Sequence, residues 1–410
     1  MAKFWFVSAP LPGHLDWGGY LQTGQALQAA GHDVLWISEP PIQAMVEVAG
    51  LPFAEVPQTG WLWPPPPPPD LSGLPPQEAV DLRYRRALDT WLTADLVVPA
   101  VEALLALTAA EGAPDAIATD PFLAASALAA EALDVPLAVC GWPAMLAPDE
   151  RALLPIQMRL GILAQDRIRA LAGRFDLDGT NFSGGLTPAV QSPYLHVSYF
   201  SRYWHQADPG FLPQTQFVGG QPVPPEGDPP AWLADLPADA PLGLVTLGTV
   251  FTGDLGFFAW AAQAMARLGL VPLVVVGRSL LPEEKDQLKG TLPGGTRLLP
   301  WVDFAHVFPR LKVIVHHGGM GTTHAAVVHG VPQVIVPHAA DQRGQAKRAS
   351  QAKVALNLTA HDVRNGQLLP AIRAVSTDPK VIETARRLAG TFAALGGPAK
   401  AAQLMLDLLR

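Results

Sequence analysis

The amino-acid sequence predicts an α/β fold with two domains, each built around a doubly wound parallel sheet. Its 410 residues are more than one hydrophobic core usually organises. In both halves, short apolar runs rich in β-branched residues alternate with helical patterns. A Pro/Gly-rich segment without helical or strand periodicity, residues 219–230, lies between the halves and is interpreted as a linker. Two such halves imply a cleft between the domains, the usual place for a ligand.

The first half, residues 1–218, begins with a βαβαβ order that predicts parallel strands. The predicted strands share short apolar sequences and cover residues 4–9, 32–38, 53–56, 115–119 and 137–140. The predicted helices share apolar positions at helical spacing and cover residues 20–30, 41–49, 77–110 and 122–133. Gly31 ends the first helix, so His32 directly after it is interpreted as structural.

The second half, residues 231–394, repeats this architecture. Its predicted strands cover residues 242–247, 272–276, 297–299, 313–315 and 333–337. Its predicted helices cover residues 255–268 and 322–328, and another follows Gln342. The alternation again favours a parallel sheet with helices on its faces.

Composition and charge restrict the class of protein. Hydrophobic residues at 49% and charged residues at 16% are typical of a compact globular chain. The net charge of −8 argues against nucleic acid as the main partner. One cysteine, Cys140, excludes an intrachain disulfide and suits the cytoplasm. We expect no membrane span, because the longest apolar candidate, residues 96–110, is interrupted by Pro99 and Glu102 and falls short of about 18 residues.

Residues 312–323 combine a short strand, two histidines and a glycine-rich turn in front of a helix. The strand ends at His316 and His317, and three of the next four residues are glycines. Glycines let the backbone approach a ligand closely, and the first N–H groups of a helix favour an anion. The stretch therefore predicts an anion site, although it contains neither Gly-x-Gly-x-x-Gly nor a P-loop lysine.

Three further features are interpreted as non-catalytic. Six consecutive prolines, residues 64–69, predict a stiff polyproline II segment, either a ligand for an aromatic-groove domain or, preferably, a surface loop that carries Trp61 and Trp63 over a pocket. The Asp-Leu-Asp sequence at residues 176–178 resembles a metal–nucleotide motif, but no strand leads into it, which favours a solvated turn. We expect no metal site, because the spacing of five clustered histidines is irregular; they are His316, His317, His324, His329 and His338.

Several motifs occur in the order of one known family. They are residues 316–323 (His-His-Gly-Gly-Met-Gly-Thr-Thr), 330–332 (Gly-Val-Pro) and 336–342 (Val-Pro-His-Ala-Ala-Asp-Gln), with weaker matches at 12–14, 31–34 and 246–249. With them, nearly the whole chain resembles GT-B-fold glycosyltransferases of the UDP-glycosyltransferase superfamily, most closely the bacterial natural-product, sterol and lipid branch. The resemblance implies two Rossmann-like domains facing across a cleft. The domain of residues 1–218 would bind the acceptor, and a C-terminal helix over about 395–410 would pack back on it. The domain of residues 231–394 would bind the donor.

The resemblance implies where the donor phosphates bind. His317 would contact the pyrophosphate. Thr322 and the backbone from Gly319 to Gly321 would bind it at the helix N-terminus, which agrees with the anion site inferred above. Thr249 would lie near the phosphates. Fixed N–H donors can stabilise the charge of a leaving diphosphate without a metal.

The base and sugar of the donor fall to other residues in this resemblance. Trp301 would stack on a uracil or thymine ring, and the backbone of Val302 would read the edge of the base. Asp341 and Gln342 would bind sugar hydroxyls. Ala325 stands where many members of the family carry a glutamate for the ribose hydroxyls, so the choice between UDP and dTDP stays open.

On the acceptor side, His14 corresponds to the catalytic base of the family and Asp120 to the carboxylate that orients it. An attacking hydroxyl needs a proton acceptor, and histidine suits this task near neutral pH. Both residues follow strands predicted to be parallel, so they can meet at one edge of the sheet. The first half also offers aromatic side chains for an apolar acceptor: Trp17, Trp61, Trp63, Trp91 and Trp142.

The expected function is an inverting, metal-independent transfer of a hexose from a UDP- or dTDP-sugar to a hydroxyl of a small hydrophobic acceptor. Such an acceptor would be a polyphenol, polyketide, sterol, carotenoid or lipid. Apart from the nucleotide sugar as co-substrate, no cofactor is expected. The C-terminal helix is interpreted as interdomain packing, although peripheral membrane contact stays open. The alternatives are a sugar-nucleotide epimerase of the same fold and a non-catalytic protein that binds nucleotide sugars.

Overall fold

A computed structural model of the chain describes residues 1–15, 18–64, 69–208, 210–249, 253–338 and 341–410. Trp17 and residues 65–68 of the proline run, both interpreted above, lie outside the described residues. The chain divides into two compact units. The first unit consists of Met1–Tyr199, Asp208–Val218 and Gly397–Arg410, and the second consists of Phe200–Ala207 and Gly219–Gly396.

The first unit contains a parallel sheet and its crossover helices. Its elements in chain order are β1 (Lys3–Val7), α1 (Pro12–Leu15), α2 (Tyr20–Ala29), β2 (Asp33–Ser38), α3 (Gln43–Val48), β3 (Phe53–Glu55), α4 (Pro76–Asp89), α5 (Ala94–Glu111), β4 (Ala116–Thr119), α6 (Ala124–Ala132), β5 (Leu137–Cys140), α7 (Pro155–Arg174), β6 (Leu195–Ser198) and β7 (Thr215–Phe217). Short 3-10 helices cover Pro40–Ile42 and Glu150–Ala152. The strands pair in the order β3-β2-β1-β4-β5-β6-β7, all parallel.

The second unit repeats this plan. Its elements are α8 (Ala231–Ala234), β8 (Leu242–Thr246), α9 (Leu255–Arg267), β9 (Val271–Val275), α10 (Pro282–Thr291), β10 (Arg297–Leu299), α11 (Phe304–Val307), β11 (Leu311–His316), α12 (Met320–Val328), β12 (Gln333–Ile335), α13 (Gln342–Gln351), β13 (Ala355–Asn357), α14 (Ala360–Arg364), α15 (Leu368–Thr377) and α16 (Pro379–Ala393). A 3-10 turn covers Phe308–Arg310. The parallel strand order is β10-β9-β8-β11-β12-β13. The last helix, α17 (Gly397–Asp407), belongs to the first unit and packs on α2.

The central strands are buried on both faces, which explains their continuous apolar sequences. In β1, the four side chains from Phe4 to Val7 are at most 1% exposed. Helices α5 and α6 cover one face of this sheet, and helices α9 and α15 cover one face of the second. Each buried aromatic or branched side chain contributes roughly 1.5–3 kcal/mol to folding. The predicted α/β class with two parallel sheets is confirmed.

Each sheet has a point where its winding reverses. In the first sheet β1 lies between β2 and β4, and in the second β8 lies between β9 and β11. Loops that leave the carboxyl ends of strands on either side of such a point diverge, and the crevice between them is where α/β sheets bind ligands. The loops after β1 and β4 carry His14 and Asp120, and the loops after β8 and β11 carry Thr249 and His317.

Several elements had no counterpart in the sequence prediction. β6 was missed because two of its four side chains, His196 and Ser198, are polar although they are buried. Strands β7 and β13 lack an apolar signal because they are edge strands of three residues whose side chains, apart from Ala355, are half-buried or exposed. The helical patterns predicted over residues 77–110 are two helices, α4 and α5, separated at residues 90–93.

One step of the membrane prediction is wrong, because an apolar helical stretch longer than residues 96–110 is present. By length and composition, the stretch Pro76–Glu111, which contains α4 and α5, is long and apolar enough to cross a membrane. The core helix of a soluble protein also meets this criterion. Here α5 packs against α6, and its side chains Val97, Ala100 and Val101 are fully buried. These contacts place α5 in the core of the first unit.

Candidate active site

Two adjacent parallel strands bring His14 and Asp120 together in the first unit. β1 pairs with β4 so that Val7 lies opposite Thr119, and Asp120 follows directly. After β1 the chain turns into α1, which begins with a proline and contains His14. The His14 Nδ1 atom lies 3.0 Å from Asp120 Oδ2. Residues 106 positions apart in the sequence thus form one hydrogen-bonded pair.

The surroundings of Asp120 orient this pair. The backbone N–H of Ala9 donates to Oδ2 at 2.9 Å, and that of Phe122 donates to Oδ1 at 2.8 Å. A carboxylate can only accept hydrogen bonds, so His14 donates from Nδ1 and carries its lone pair on Nε2. Asp120 is 0% exposed and His14 is 8% exposed. The arrangement leaves Nε2 as the ring atom that can accept a proton.

Aromatic rings surround the histidine. The His14 ring centroid lies 5.7 Å from those of Trp61 and Phe122, and these two rings lie 5.2 Å from each other. Trp61 comes from the loop ahead of the proline run, and Trp91 packs on the same core cluster as Trp61. His14 is therefore set among apolar side chains, which form surroundings that suit an apolar molecule.

A cavity of about 500 Å³ in the first unit lies elsewhere. It is formed by α5 and α7 and is lined by residues that include Leu92, Val98, Arg167 and Arg174. Neither His14 nor Trp61 lines it. We therefore do not assign this cavity to the acceptor.

In the second unit, His316 holds the glycine turn in shape. It ends β11, and its Nε2 lies 3.0 Å from Gln333 Oε1, while its Nδ1 accepts the N–H of Gly318 at 3.2 Å. The tautomer with the proton on Nε2 satisfies both contacts. Burial lowers the pKa of His316 to about 4, so the ring is neutral at pH 7. Of the two adjacent histidines, this one is structural.

His317 packs against two glycines at the reversal point of the second sheet. A Cβ atom added to Gly319 would lie 2.4 Å from His317 Nε2, and one added to Gly248 would lie 2.8 Å from His317 Cε1. The imidazole ring of His317 thus occupies the space that a side chain at position 248 or 319 would need. Burial, reinforced by the neighbouring His316 and His338, lowers the pKa of His317 to about 3. A neutral imidazole at this position can donate an N–H to an anion.

The first turn of α12 adds backbone donors beside His317. Gly319 is the N-cap, with φ −61° and ψ 148°, and no side chain caps the helix there. The first helical hydrogen bond comes from the N–H of Thr323 to the carbonyl of Gly319, at 2.9 Å. The preceding N–H groups, including those of Gly321 and Thr322, have no acceptor within the helix, and the helix dipole adds partial positive charge. This end of α12 can bind a phosphate.

The remaining predicted donor residues follow other strands of the same sheet. Thr249 is exposed after β8, and Trp301 follows β10 with 56% of its surface exposed. Val302 is half-buried and packs on the core. Asp341 is the N-cap of α13, and the buried Gln342 accepts the N–H of His338 at 2.8 Å through Oε1. Because the strands are parallel, all these residues lie at one edge of the sheet.

Their distances from the glycine turn differ. A Cβ atom added to Gly318 would lie 3.0 Å from the carbonyl oxygen of Gln342, so the start of α13 touches the turn. Trp301 lies farther away, because β9 and β8 separate its strand from β11. Ala339 and Ala340 of the same motif lie outside the described residues.

The Asp-Leu-Asp sequence at residues 176–178 forms a turn after α7. The backbone N–H groups of Asp178, Gly179 and Thr180 donate to the carboxylate of Glu131 at 2.9, 3.0 and 2.9 Å. The backbone at this turn thus binds the side chain of Glu131, which indicates a structural role. In the described ranges no group of three or more histidine, cysteine, aspartate or glutamate side chains could hold a metal ion.

Two contacts of the site were not foreseen from the sequence. Phe122 beside His14 follows Asp120 by two residues, but only the fold shows its ring turned toward the histidine. Gly248 is part of one of the matching motifs, but its packing contact with His317 depends on β8 lying next to β11. The signal in the sequence was a glycine directly after a strand, here with φ 70°.

Comparison with known proteins adds a family match and relatives over the full length. Residues 264–408 match the C-terminal domain family of erythromycin biosynthesis protein CIII-like proteins. The O-mycaminosyltylonolide 6-deoxyallosyltransferase of Streptomyces fradiae is 30% identical over 430 residues, which covers 94% of this chain and 93% of that protein.

Solved structures share the fold. The crystal structure of the glycotransferase of kitacinnamycin is similar with a TM-score of 0.75 and 21% identity, over 100% of this chain and 99% of that one. Spinosyn rhamnosyltransferase complexed with thymidine diphosphate has a TM-score of 0.70 and 22% identity, over 98% and 99%.

Proposed function

The chain is a glycosyltransferase that belongs to the bacterial natural-product branch of the GT-B-fold UDP-glycosyltransferase superfamily, and from this premise we propose that it is an inverting, metal-independent hexosyltransferase. Its donor is a nucleoside diphosphate sugar, and its acceptor is a hydroxyl of a small hydrophobic molecule. The observation that carries the proposal is the buried hydrogen bond of 3.0 Å between His14 and Asp120. Membership of this family does not favour the epimerase or the non-catalytic alternative.

In the proposed reaction, His14 acts as general base. The acceptor hydroxyl donates its proton to Nε2 of His14, and its oxygen attacks the anomeric carbon of the donor sugar. The bond between that carbon and the diphosphate oxygen breaks, and the nucleoside diphosphate leaves with the electron pair. A single displacement of this kind inverts the anomeric configuration. Asp120 accepts the Nδ1–H throughout and stabilises the imidazolium that forms.

The second unit holds the donor in this proposal. His317 and the N–H groups from Gly319 to Thr322 face the diphosphate, whose charge increases as the bond to the sugar breaks. Fixed donors at a helix N-terminus stabilise that charge without a bound cation. Trp301, more than half exposed, has a ring face on which a base can stack. Asp341 and Gln342 bind hydroxyls of the sugar, and Thr249 lies near the phosphates.

We propose a thymidine nucleotide as the preferred donor. Ala325 lies half-buried on the second turn of α12 and has no carboxylate for a ribose diol. Thymidine diphosphate lacks the 2′-hydroxyl. The absence of the carboxylate therefore lowers its binding affinity less than it lowers that of UDP. The structural neighbour bound to thymidine diphosphate supports this choice.

Replacing Ala325 by glutamate is expected to shift this preference toward UDP. The new carboxylate can accept hydrogen bonds from both ribose hydroxyls, and a charged hydrogen bond is worth about 1.5–3 kcal/mol. We expect the ratio of the dTDP and UDP dissociation constants to move about tenfold in favour of UDP, measured by calorimetry. The uncharged A325Q variant is the matched control and should move the ratio less. An unchanged ratio in A325E would remove Ala325 from the ribose site.

A crossed screen tests the function as a whole. UDP- and dTDP-sugars are incubated with phenols, polyketide aglycones and sterols, and products are detected by mass. We expect hexosylated product from at least one pair, more from dTDP-sugars, and with inverted anomeric configuration by NMR. Activity that survives EDTA supports metal independence. Turnover of the nucleotide sugar without any acceptor would favour an epimerase instead, and retained configuration would rule out the single displacement.

A further inference from the structure

A short segment inserted between β6 and β7 packs beside the proposed donor site. Residues 200–207 belong to the second unit, although the strands on either side belong to the first. Phe200 and Trp204 are each 1% exposed, and their rings lie 5.2 Å apart. Both rings meet Phe392 of α16 edge-on, at 5.8 and 6.4 Å. The segment is thus anchored in the core of the second unit.

Trp204 also ends a buried chain of polar contacts. Its indole N–H donates to Oε1 of Gln345 at 2.9 Å, and Nε2 of Gln345 donates to the sulfur of Met320 at 3.0 Å. Gln345 is 1% exposed. An indole nitrogen can only donate, so the amide oxygen must face Trp204 and the amide nitrogen must face the sulfur. A thioether is a weak acceptor, and the strong contact to Trp204 therefore sets the orientation of the amide.

The contact between Gln345 and Met320 joins the two helices that begin at the proposed donor site. Met320 is the first residue of α12, between Gly319 and Gly321. Gln345 is on the first turn of α13, where its backbone N–H donates to the carbonyl of Asp341 at 3.1 Å. One buried side chain thus connects the proposed phosphate-binding turn with the helix that carries the proposed sugar-binding pair.

We propose that Trp204 and Gln345 are positioning residues of the donor site, which hold the N-terminus of α12 in register with that of α13. They touch no substrate themselves. Hydrogen-bond donors for a diphosphate act only when they are held within about 0.5 Å of the productive geometry, and supporting hydrogen bonds provide that precision. The inference rests on the proposed function, because it takes the turn before α12 as the diphosphate site.

The Trp204→Phe variant tests the role, because it keeps an aromatic ring and removes the N–H. With dTDP and UDP as probes in calorimetry, we expect the dissociation constant of whichever nucleotide the wild type binds to rise about tenfold. In transfer assays the KM for the donor should rise while the KM for the acceptor stays within twofold. The control is W36F in the first unit, where an indole N–H equally buried donates to Ser8 Oγ at 3.0 Å. It should leave nucleotide affinity unchanged.

A second variant separates this hydrogen bond from general packing. Gln345→Met keeps the volume and removes both contacts, and alone it should weaken nucleotide binding as much as W204F does. In the Q345M background, W204F should then add less than a twofold loss. Should W204F fail to fold in a thermal melt, Q345M alone carries the test.

The outcomes separate the two proposals. Wild-type affinity in a folded W204F or Q345M protein, or losses that simply add in the double variant, would overturn the positioning role. If the wild type itself binds neither nucleotide, the proposed donor site fails and this role fails with it. Nucleotide binding by the wild type with unaffected variants would contradict only the positioning role.

Discussion

Replacing His14 by alanine is expected to abolish sugar transfer and to leave nucleotide binding unchanged. The variant removes the only proton acceptor assigned to the acceptor hydroxyl, and a positioned general base typically contributes 10²- to 10⁴-fold, so kcat should fall by about 10³-fold. The second unit, which contains the proposed donor site, is untouched by the change. Transfer is followed by mass spectrometry at saturating donor, and the nucleotide dissociation constant is measured by calorimetry.

Two further variants control this result. His32→Ala removes another histidine of the first unit, whose Nδ1 accepts the N–H of Ala2 at 3.2 Å, and it should keep transfer within a few-fold of wild type. Asp120→Asn keeps the shape of its side chain but can offer an amide N–H to His14, which reverses the tautomer. It should lower kcat strongly without changing nucleotide affinity. Transfer near wild-type rate in H14A would remove the base assignment.

Replacing Gly319 by alanine is expected to weaken nucleotide binding by at least tenfold, about 1.4 kcal/mol. The backbone of Gly319 has φ −61° and ψ 148°, which alanine adopts without strain, so the effect is purely steric. The added methyl group would lie 2.4 Å from Nε2 of His317. The His317 ring cannot remain in place, because it also packs against Gly248 and has no room to move in that direction. The substitution should therefore displace His317, the proposed hydrogen-bond donor to the phosphate. Calorimetry with dTDP measures the loss.

The matched control is Gly290→Ala in α10. A Cβ atom at Gly290 would meet no atom within 4 Å, and its φ is not positive. This variant should bind the nucleotide as tightly as the wild type. A thermal melt should show G319A folded, because the clash is confined to one side chain. If G319A and G290A bound dTDP equally well, the turn before α12 would not be the diphosphate site.

The fold could be predicted where strands are buried on both faces. Residues 4–7 of β1 and 313–315 of β11 are continuous apolar runs, and such runs indicate strands buried on both faces. β6 carries a buried histidine instead, whose pKa burial lowers to about 4. His196 is satisfied by the carbonyl of Trp142 and the N–H of Ser192, each at 3.0 Å. The local sequence pattern does not contain these hydrogen-bond partners. A buried strand with polar side chains therefore cannot be predicted from that pattern.

The same limit applies to the site. The family resemblance pairs His14 with Asp120, and both residues follow strands predicted to be parallel, so they can meet at one edge of the sheet. The packing of His317 on Gly248 depends on β11 lying directly beside β8, which no local pattern states. The bond from Trp204 to Gln345 joins residues 141 positions apart, and nothing in either neighbourhood indicates it. The glycines and histidines were visible in advance; their neighbours were not.

The way the chain alternates between its two units bears on recombination among these glycosyltransferases. The second unit consists of two separate pieces of sequence, Phe200–Ala207 and Gly219–Gly396, while α17 belongs with the first unit. A chimera joined at the Pro/Gly-rich linker would pair Gln345 of one parent with the residue at position 204 of the other, and a foreign α17 with the native α2. Hybrids that exchange residues 200–207 together with 219–396, and that keep the original α17, preserve both sets of contacts.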